Sequence, residues 1–542
     1  MDVLVVTLQV AILVSLLASL LIVPRLDPVS SVGRHLRSRL LLGLPWGTLV
    51  VVSSLIAFFL FVQGAYWHPG EPLTIPFTSW SYRYPLGLLT APFAHKSLSH
   101  LTGNVIGFLT VGSLAEYWFS HFPQGDGQSA FGDWRTNPYV RAFVLFPIGV
   151  AGLGLLTSVF AWGAIIGFSG VVFAAVGFAI VRFPIATVVV LVAREFVRTA
   201  IASLREPIVF ASAGPSYYTP WWAGVAIQAH LLGFVLGAVL GAALIVHRRE
   251  TDRPSAARLW IGTVVAGSSL TLWAIWWYRG TSSYVLYRGA GILLIVALGL
   301  LLAAIVWSSD SRIAGSVTRR QVGFALLALP LLTMAFVAVP INFSTIADDP
   351  VPGRPVEVES YTVTYAENVQ NQRIPAIDIP YINASSSVNA GGVIVVNPDR
   401  QVWTEAISTS RLSQYGRGTV VVGGLTWRQS VAARRTGWRV AGGGTAYRVS
   451  LRPPGGTWQT AFQTHAVQAG PVIAGRNVSI RPGADDFYIR VSRGNRSIAQ
   501  APMPGRNESV VVGGLTFTRK TYIVTAIHDG TRIRLFKKEE YI

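Results

Sequence analysis

The sequence contains no cysteine, which excludes disulfides, thiolate nucleophiles and Cys-ligated zinc or iron–sulfur centres. It is almost as poor in charge. Only 13% of its 542 residues are Asp, Glu, Lys or Arg, about half the share a soluble globular chain carries. Acidic residues are the scarcer kind, 25 against 44 basic ones, for a formal net charge of +19. No His-Glu-x-x-His run occurs and no pair of aspartates sits within an apolar stretch, so hydrolysis by a bound zinc ion or by an aspartate pair lacks its residues. No metal or cofactor is expected.

What fills the space is hydrophobic: 51% of the chain, with a mean hydropathy of +0.48. A membrane-spanning helix needs about 20 apolar residues. Ten segments approach that length, at roughly Val3 to Val23, Gly47 to Val62, Leu98 to Trp118, Val140 to Phe160, Ser169 to Arg182, Pro184 to Ala202, Trp222 to Val246, Leu259 to Tyr278, Tyr284 to Val306 and Val322 to Val339. The chain therefore reads as a polytopic α-helical membrane protein. The first segment is not a signal peptide, because Asp2 precedes it, its positive charge follows it, and no small-residue cleavage site is evident. In a membrane protein the basic excess belongs to cytoplasmic loops and anionic headgroups, so the lipid bilayer is an expected partner and nucleic acid is not. Arg25, Arg34, Arg37 and Arg39, then Arg248, Arg249, Arg253 and Arg258, then Arg312, Arg319 and Arg320 form three basic loops. All three fall in the cytoplasm if the N-terminus is outside. Arg194, Arg198 and Arg205 run against this scheme, offset in part by Glu195 and Glu206.

After Pro340 the composition turns to Gly, Thr and Val with strand-like alternation. The topology puts this all-β tail outside the membrane. Five of the chain's eleven asparagines stand in Asn-x-Ser sequons, Asn342, Asn383, Asn477, Asn495 and Asn507, and all five lie here, as an exported surface would have them. The tail also repeats. Val420 to Trp427 returns as Val510 to Phe517 with seven identities in eight positions, and Gly444 to Val449 is echoed by Gly530 to Leu535. Two tandem sandwich-like units follow from this.

Three polar clusters interrupt the apolar bundle. Gly167-Phe168-Ser169-Gly170 opens one segment. The glycines would let backbone approach a serine nucleophile and leave amide N–H groups free for an oxyanion, although Gly and Ser are also ordinary helix-packing residues. His230 lies in Ala229-His230-Leu231-Leu232-Gly233, continuing to Gly237 and Gly241. An intramembrane histidine is a functional candidate by default, the plain alternative being one bonded to a backbone carbonyl. Ser169, Phe173 and Gly177 recur every four residues, as do Gly233, Gly237 and Gly241, and close packing of these faces brings Ser169 within reach of His230. His100 and Asn104, four apart, share a helix face. They could donate to an oxyanion or simply bridge helices. In the topology above, His100, Ser169 and His230 share one depth near the outer face.

Taken together, His100-x-x-x-Asn104, Gly167-Phe168-Ser169-Gly170 and Ala229-His230-x-x-Gly233, in this order, resemble the rhomboid family of intramembrane serine proteases over roughly Gly47 to Val246. The run Pro85 to His95 looks like archaeal members. The resemblance implies a six-helix rhomboid core with about four extra helices, followed by the C-terminal all-β extracytoplasmic region. It implies catalysis by Ser169 and His230, oxyanion support from His100, Asn104, Gly167 and Gly170, and structural positions at His95, Glu116, Phe173, Gly233 and Gly237. Two departures stand out. Trp80 and Arg83 are not the adjacent Trp-Arg pair often seen, and Phe173 replaces a common Tyr. Expected domains are 1–46 (first helix and basic linker), 47–247 (rhomboid core), 248–341 (three further helices), 342–452 and 453–542 (the β repeats). The expected substrates are transmembrane proteins. A catalytically silent client-binding relative, and an envelope receptor or anchor working through a cell-envelope ligand of the β-domains, are the alternatives.

Overall fold

The computed structural model describes all residues except 1–2, 27–35, 121–132, 210–219, 251, 281–282, 347–350, 374–377, 380–383, 386–388 and 495. They divide into two compact units, a helical one made of most residues up to Ser344 and a β one made chiefly of Thr345–Ile542.

The helical unit follows the apolar runs. Its principal helices are Val3–Leu26, Trp46–Ala57 (prolonged by a π turn, Phe58–Val62), Leu98–Phe119, Phe146–Val159, Ser169–Arg182, Pro184–Arg205, Ile227–His247, Ala256–Ser269, Arg288–Trp307 and Arg319–Phe343. Among the described residues, five stretches are long and apolar enough to cross a membrane, and three shorter ones are apolar. The chain is a multi-pass membrane protein. Two expected spans differ from that description. Pro184–Arg205 is helical but too charged. Ala256–Ser269 has 14 residues, about 21 Å of helix, and stops where Thr271 takes a positive φ of 63°. The expected continuation to Tyr278 is instead a hairpin, Trp276–Gly280 paired with Ser283–Leu286, as suits a run of Trp and Tyr.

The centre of this unit is the Ser169 helix against the His230 helix, and glycine sets their separation. A Cβ on Gly233 would lie 2.0 Å from the Gly170 carbonyl oxygen, one on Gly237 1.8 Å from that of Ala174, and one on Gly177 2.0 Å from that of Phe234. Backbone touches backbone along the whole face. Glu116 does a different job. Its buried carboxylate accepts from the amides of Gly47 and Thr48, at 2.9 and 2.7 Å, and from the Thr48 hydroxyl at 2.8 Å. These are the otherwise orphaned donors at the start of the Trp46 helix, and a negative charge there complements the helix dipole.

In the β unit, strands Val402–Ser408, Asn389–Asn397, Tyr361–Gln370 and Val356–Val358 form one antiparallel sheet in that order. A larger sheet joins both sequence repeats. Arg428–Val440 carries Arg417–Gly423 and Thr445–Arg452 as neighbours and also pairs with the last strand, Thr531–Lys538. Thr445–Arg452 continues to Gln459–Gln463. The 452/453 boundary falls inside this sheet. Each copy of the repeated Val-Val-Val-Gly-Gly motif makes a hairpin, but with different turns. Val512 pairs directly with Leu515 across Gly513 and Gly514, both at positive φ, a two-residue turn that glycine permits. In the first copy Gly423 pairs with Arg428 and four residues make the turn. Arg435 and Glu539 tie the first repeat to the C-terminus through a buried two-pronged ion pair of 3.0 and 2.9 Å.

Candidate active site

Ser169 is the first residue of its helix. The His230 Nε2 lies 2.8 Å from its Oγ, a hydrogen bond made possible by the glycine contacts below it. His230 is buried, and its Nδ1 meets no partner among the described residues. What orients the imidazole is Phe173, whose ring stacks on it at 4.2 Å and 15°. Phe173 comes one turn after Ser169, so a single helix supplies both the hydroxyl and the plate behind the imidazole.

The approach to Ser169 is pinned from several sides. Ser79 N–H donates to the Ile165 carbonyl at 3.1 Å, and the Gly167 amide donates to the Ala91 carbonyl at 2.9 Å. Gln228, two residues before His230, accepts from the Trp162 amide and donates to the Phe160 carbonyl, both at 2.9 Å. Asn342 donates to the Val159 and Ala161 carbonyls at 3.3 and 2.8 Å. Its side chain is buried, so this sequon has no free amide for a glycan. Of the other four, Asn383 and Asn495 lie outside the described residues, Asn477 is half-buried and Asn507 is exposed.

Gly167 has φ +128°, a conformation reserved for glycine, and a Cβ there would meet the His100 ring at 2.5 Å. Glycine thus lets the His100 imidazole sit against the backbone just before Ser169. The His100 amide is capped by Ser97 at 3.2 Å, which fixes the start of the Leu98–Phe119 helix. Asn104, one turn on, is buried, and its Nδ2 has no acceptor among the described residues. A buried donor without a partner is costly and here it lines a cavity. His100, Asn104, Ser169, Phe173 and His230 all face this cavity, of about 870 Å³. The Ser169 and Gly170 amides, in the first helical turn, have no carbonyl acceptor among the described residues. A nucleophile bonded to a base, beside several unsatisfied donors, is the arrangement acyl transfer needs.

Residues 82–247 match the rhomboid domain family model. The chain contains a rhomboid domain. The match spans under a third of its 542 residues, and no curated protein and no solved structure matches the chain. Rhomboids are typically intramembrane serine proteases, and some members are inactive.

The remaining expected positions pack within the helical unit. His95 is fully buried, its amide donating to Gln63 at 2.8 Å while its ring meets that of His100 edge-on at 5.1 Å. Gly170 packs on Thr157, and Trp80 donates to the Ile75 carbonyl at 2.7 Å. Gln228 carries no motif in the sequence, and Asn342 stands out there only as a sequon. Gln228 stands two positions from His230, and a polar residue that close to an intramembrane histidine was its available signal. For Asn342 the sequon pattern pointed the other way, to the surface.

Proposed function

We propose that this rhomboid is an intramembrane serine endopeptidase with Ser169 as nucleophile and His230 as general base. The observation that carries the reading is the 2.8 Å contact between Ser169 Oγ and His230 Nε2. In the first step the Ser169 proton passes to Nε2 as Oγ bonds to the scissile carbonyl carbon. The oxyanion so formed is held by the Ser169 amide and the side chains of His100 and Asn104. His230 then returns the proton to the departing amine, and a water, deprotonated by the same imidazole, releases the acid. No carboxylate meets Nδ1 among the described residues, so orientation rests on the Phe173 stack, and the machinery is a dyad. Substrates are transmembrane proteins cleaved near the outer face. The basic loops support placing the cavity and the β unit outside.

The test is cleavage of a single-span reporter by the purified protein in vesicles, wild type against Ser169→Ala and His230→Ala. Both variants are expected to lose cleavage, and a fluorophosphonate is expected to label wild type but not Ser169→Ala. Equal cleavage by all three would sink the assignment. A folded wild type that neither cleaves nor labels would favour a silent, client-binding relative.

A further inference from the structure

The Pro184–Arg205 helix is sharply two-sided. Val189, Val192 and Phe196 are exposed on one side, while Arg194, Arg198, Ile201 and Arg205, spaced four, three and four apart, line the cavity that contains Ser169 and His230. With Lys96, the cavity wall holds four cations against two acids, Glu195 and Glu206. Glu195 is engaged by Arg198 at 3.2 Å. Arg194 makes no hydrogen bond or ion pair with any described residue, and its Nε is buried.

Gly107 marks its depth. A Cβ on Gly107 would lie 3.1 Å from Val172 Cγ1 and 3.6 Å from Arg194 Nε, so the guanidinium lies against this level of the Leu98–Phe119 helix. Gly107 follows Asn104 by three residues on the same face, and Val172 follows Ser169 by three. The guanidinium therefore sits roughly one helical turn, about 5 Å, beyond the Asn104–Ser169 level. The carboxylate nearest in sequence, Glu195, attracts Arg194 but is held by Arg198; a cation short of counter-charge at membrane depth is costly, and a planar guanidinium suits a carboxylate.

Resting on the serine-protease reading above, we infer that Arg194, flanked by Arg198 and Arg205, is a specificity residue that receives an Asp or Glu side chain of the substrate close to the scissile bond. An extended chain advances about 3.3 Å per residue, so the acid lies about two residues from the reacting carbonyl. A substrate carboxylate is favoured over a lipid headgroup because the cations share their cavity with the nucleophile.

The experiment uses the full-length protein in phosphatidylcholine vesicles with single-span reporters carrying Glu or Gln at each of three positions on either side of the cleaved bond. Wild type is expected to prefer Glu at one or two adjacent positions by about tenfold in kcat/KM, the worth of a charge-assisted hydrogen bond. Lys at the same position is expected to slow it further, a reading that needs no variant. Arg194→Gln is expected to level the Glu and Gln reporters, and Arg194→Lys to restore part of the preference. Equal rates for Glu and Gln at every position in wild type, or a preference that survives Arg194→Gln, overturn the inference. So does a rate that follows added phosphatidylglycerol instead of the reporter's acid. Fluorophosphonate labelling of Ser169 in the same samples separates the two failures: labelling without acid preference overturns this inference alone, and absence of both labelling and cleavage overturns the protease reading with it.

Discussion

Replacing Gly237 with alanine tests whether the Ser169–His230 distance is set by backbone contact two turns away. The added Cβ would stand 1.8 Å from the Ala174 carbonyl oxygen and 2.7 Å from its carbon. Both atoms are main chain within a helix, so no side-chain rotation relieves the overlap. Restoring van der Waals spacing requires the two helices to part by roughly 1–1.5 Å. Gly237 lies seven residues from His230, on the same face. If that displacement reaches the site, the 2.8 Å contact opens beyond 3.5 Å and ceases to be a hydrogen bond. A misplacement of about 1 Å costs on the order of a hundredfold in rate, and overpacking costs about 1–3 kcal/mol of stability. The assay is the rate of Ser169 labelling by a fluorophosphonate, alongside thermal unfolding. Gly149→Ala is the control, because nothing lies within 4 Å of a Cβ there and it is expected to label as wild type does. Labelling of Gly237→Ala at the wild-type rate would refute the claim that this glycine stripe sets the distance.

Two further perturbations probe the scaffold. Glu116→Ala strips the acceptor from three buried donors, and at about 1–3 kcal/mol for an unsatisfied group a loss of several degrees in Tm is expected; an unchanged Tm would contradict the capping role. Arg435→Ala leaves the Glu539 carboxylate buried without its cation, with the Tyr541 hydroxyl still donating to it, an expected loss of about 3–5 kcal/mol, read as faster proteolysis within the β unit. Ser169 labelling is expected to be unaffected, and its loss in that variant would show that the two units do not fold independently.

Hydropathy made the helical unit legible because hydrocarbon demands long apolar runs with internally satisfied backbone. That demand is weakest where a segment stops facing lipid, and there the reading drifted. The run from Leu259 to Tyr278 is apolar enough to resemble one helix, yet its Trp and Tyr residues form a strand after Thr271. Hydropathy does not register a positive φ. In the tail, the Val-Val-Val-Gly-Gly repeats mark two hairpins, but pairing between strands far apart in sequence is invisible to a repeat. The contact of Trp438 with Lys538, which puts both copies in one sheet, had no local signature.

The site was legible to the extent that it is carried by residues whose bland explanation is expensive. A histidine inside an apolar helix and glycines every four residues each narrow the options, and together they narrow them to a helix pair with His230 beside Ser169. The arginines of the Pro184–Arg205 helix show the opposite case. Counted as loop charges, Arg194, Arg198 and Arg205 weigh against the topology. Their spacing nevertheless puts them on one face, away from Val189, Val192 and Phe196. Periodicity reports which residues share a face; it does not report whether that face meets lipid, protein or a water-filled cavity. Here it meets the cavity of Ser169, where charge is tolerated, so these cations belong to the lining of the candidate site and are not loop charges of the kind that the positive-inside rule counts.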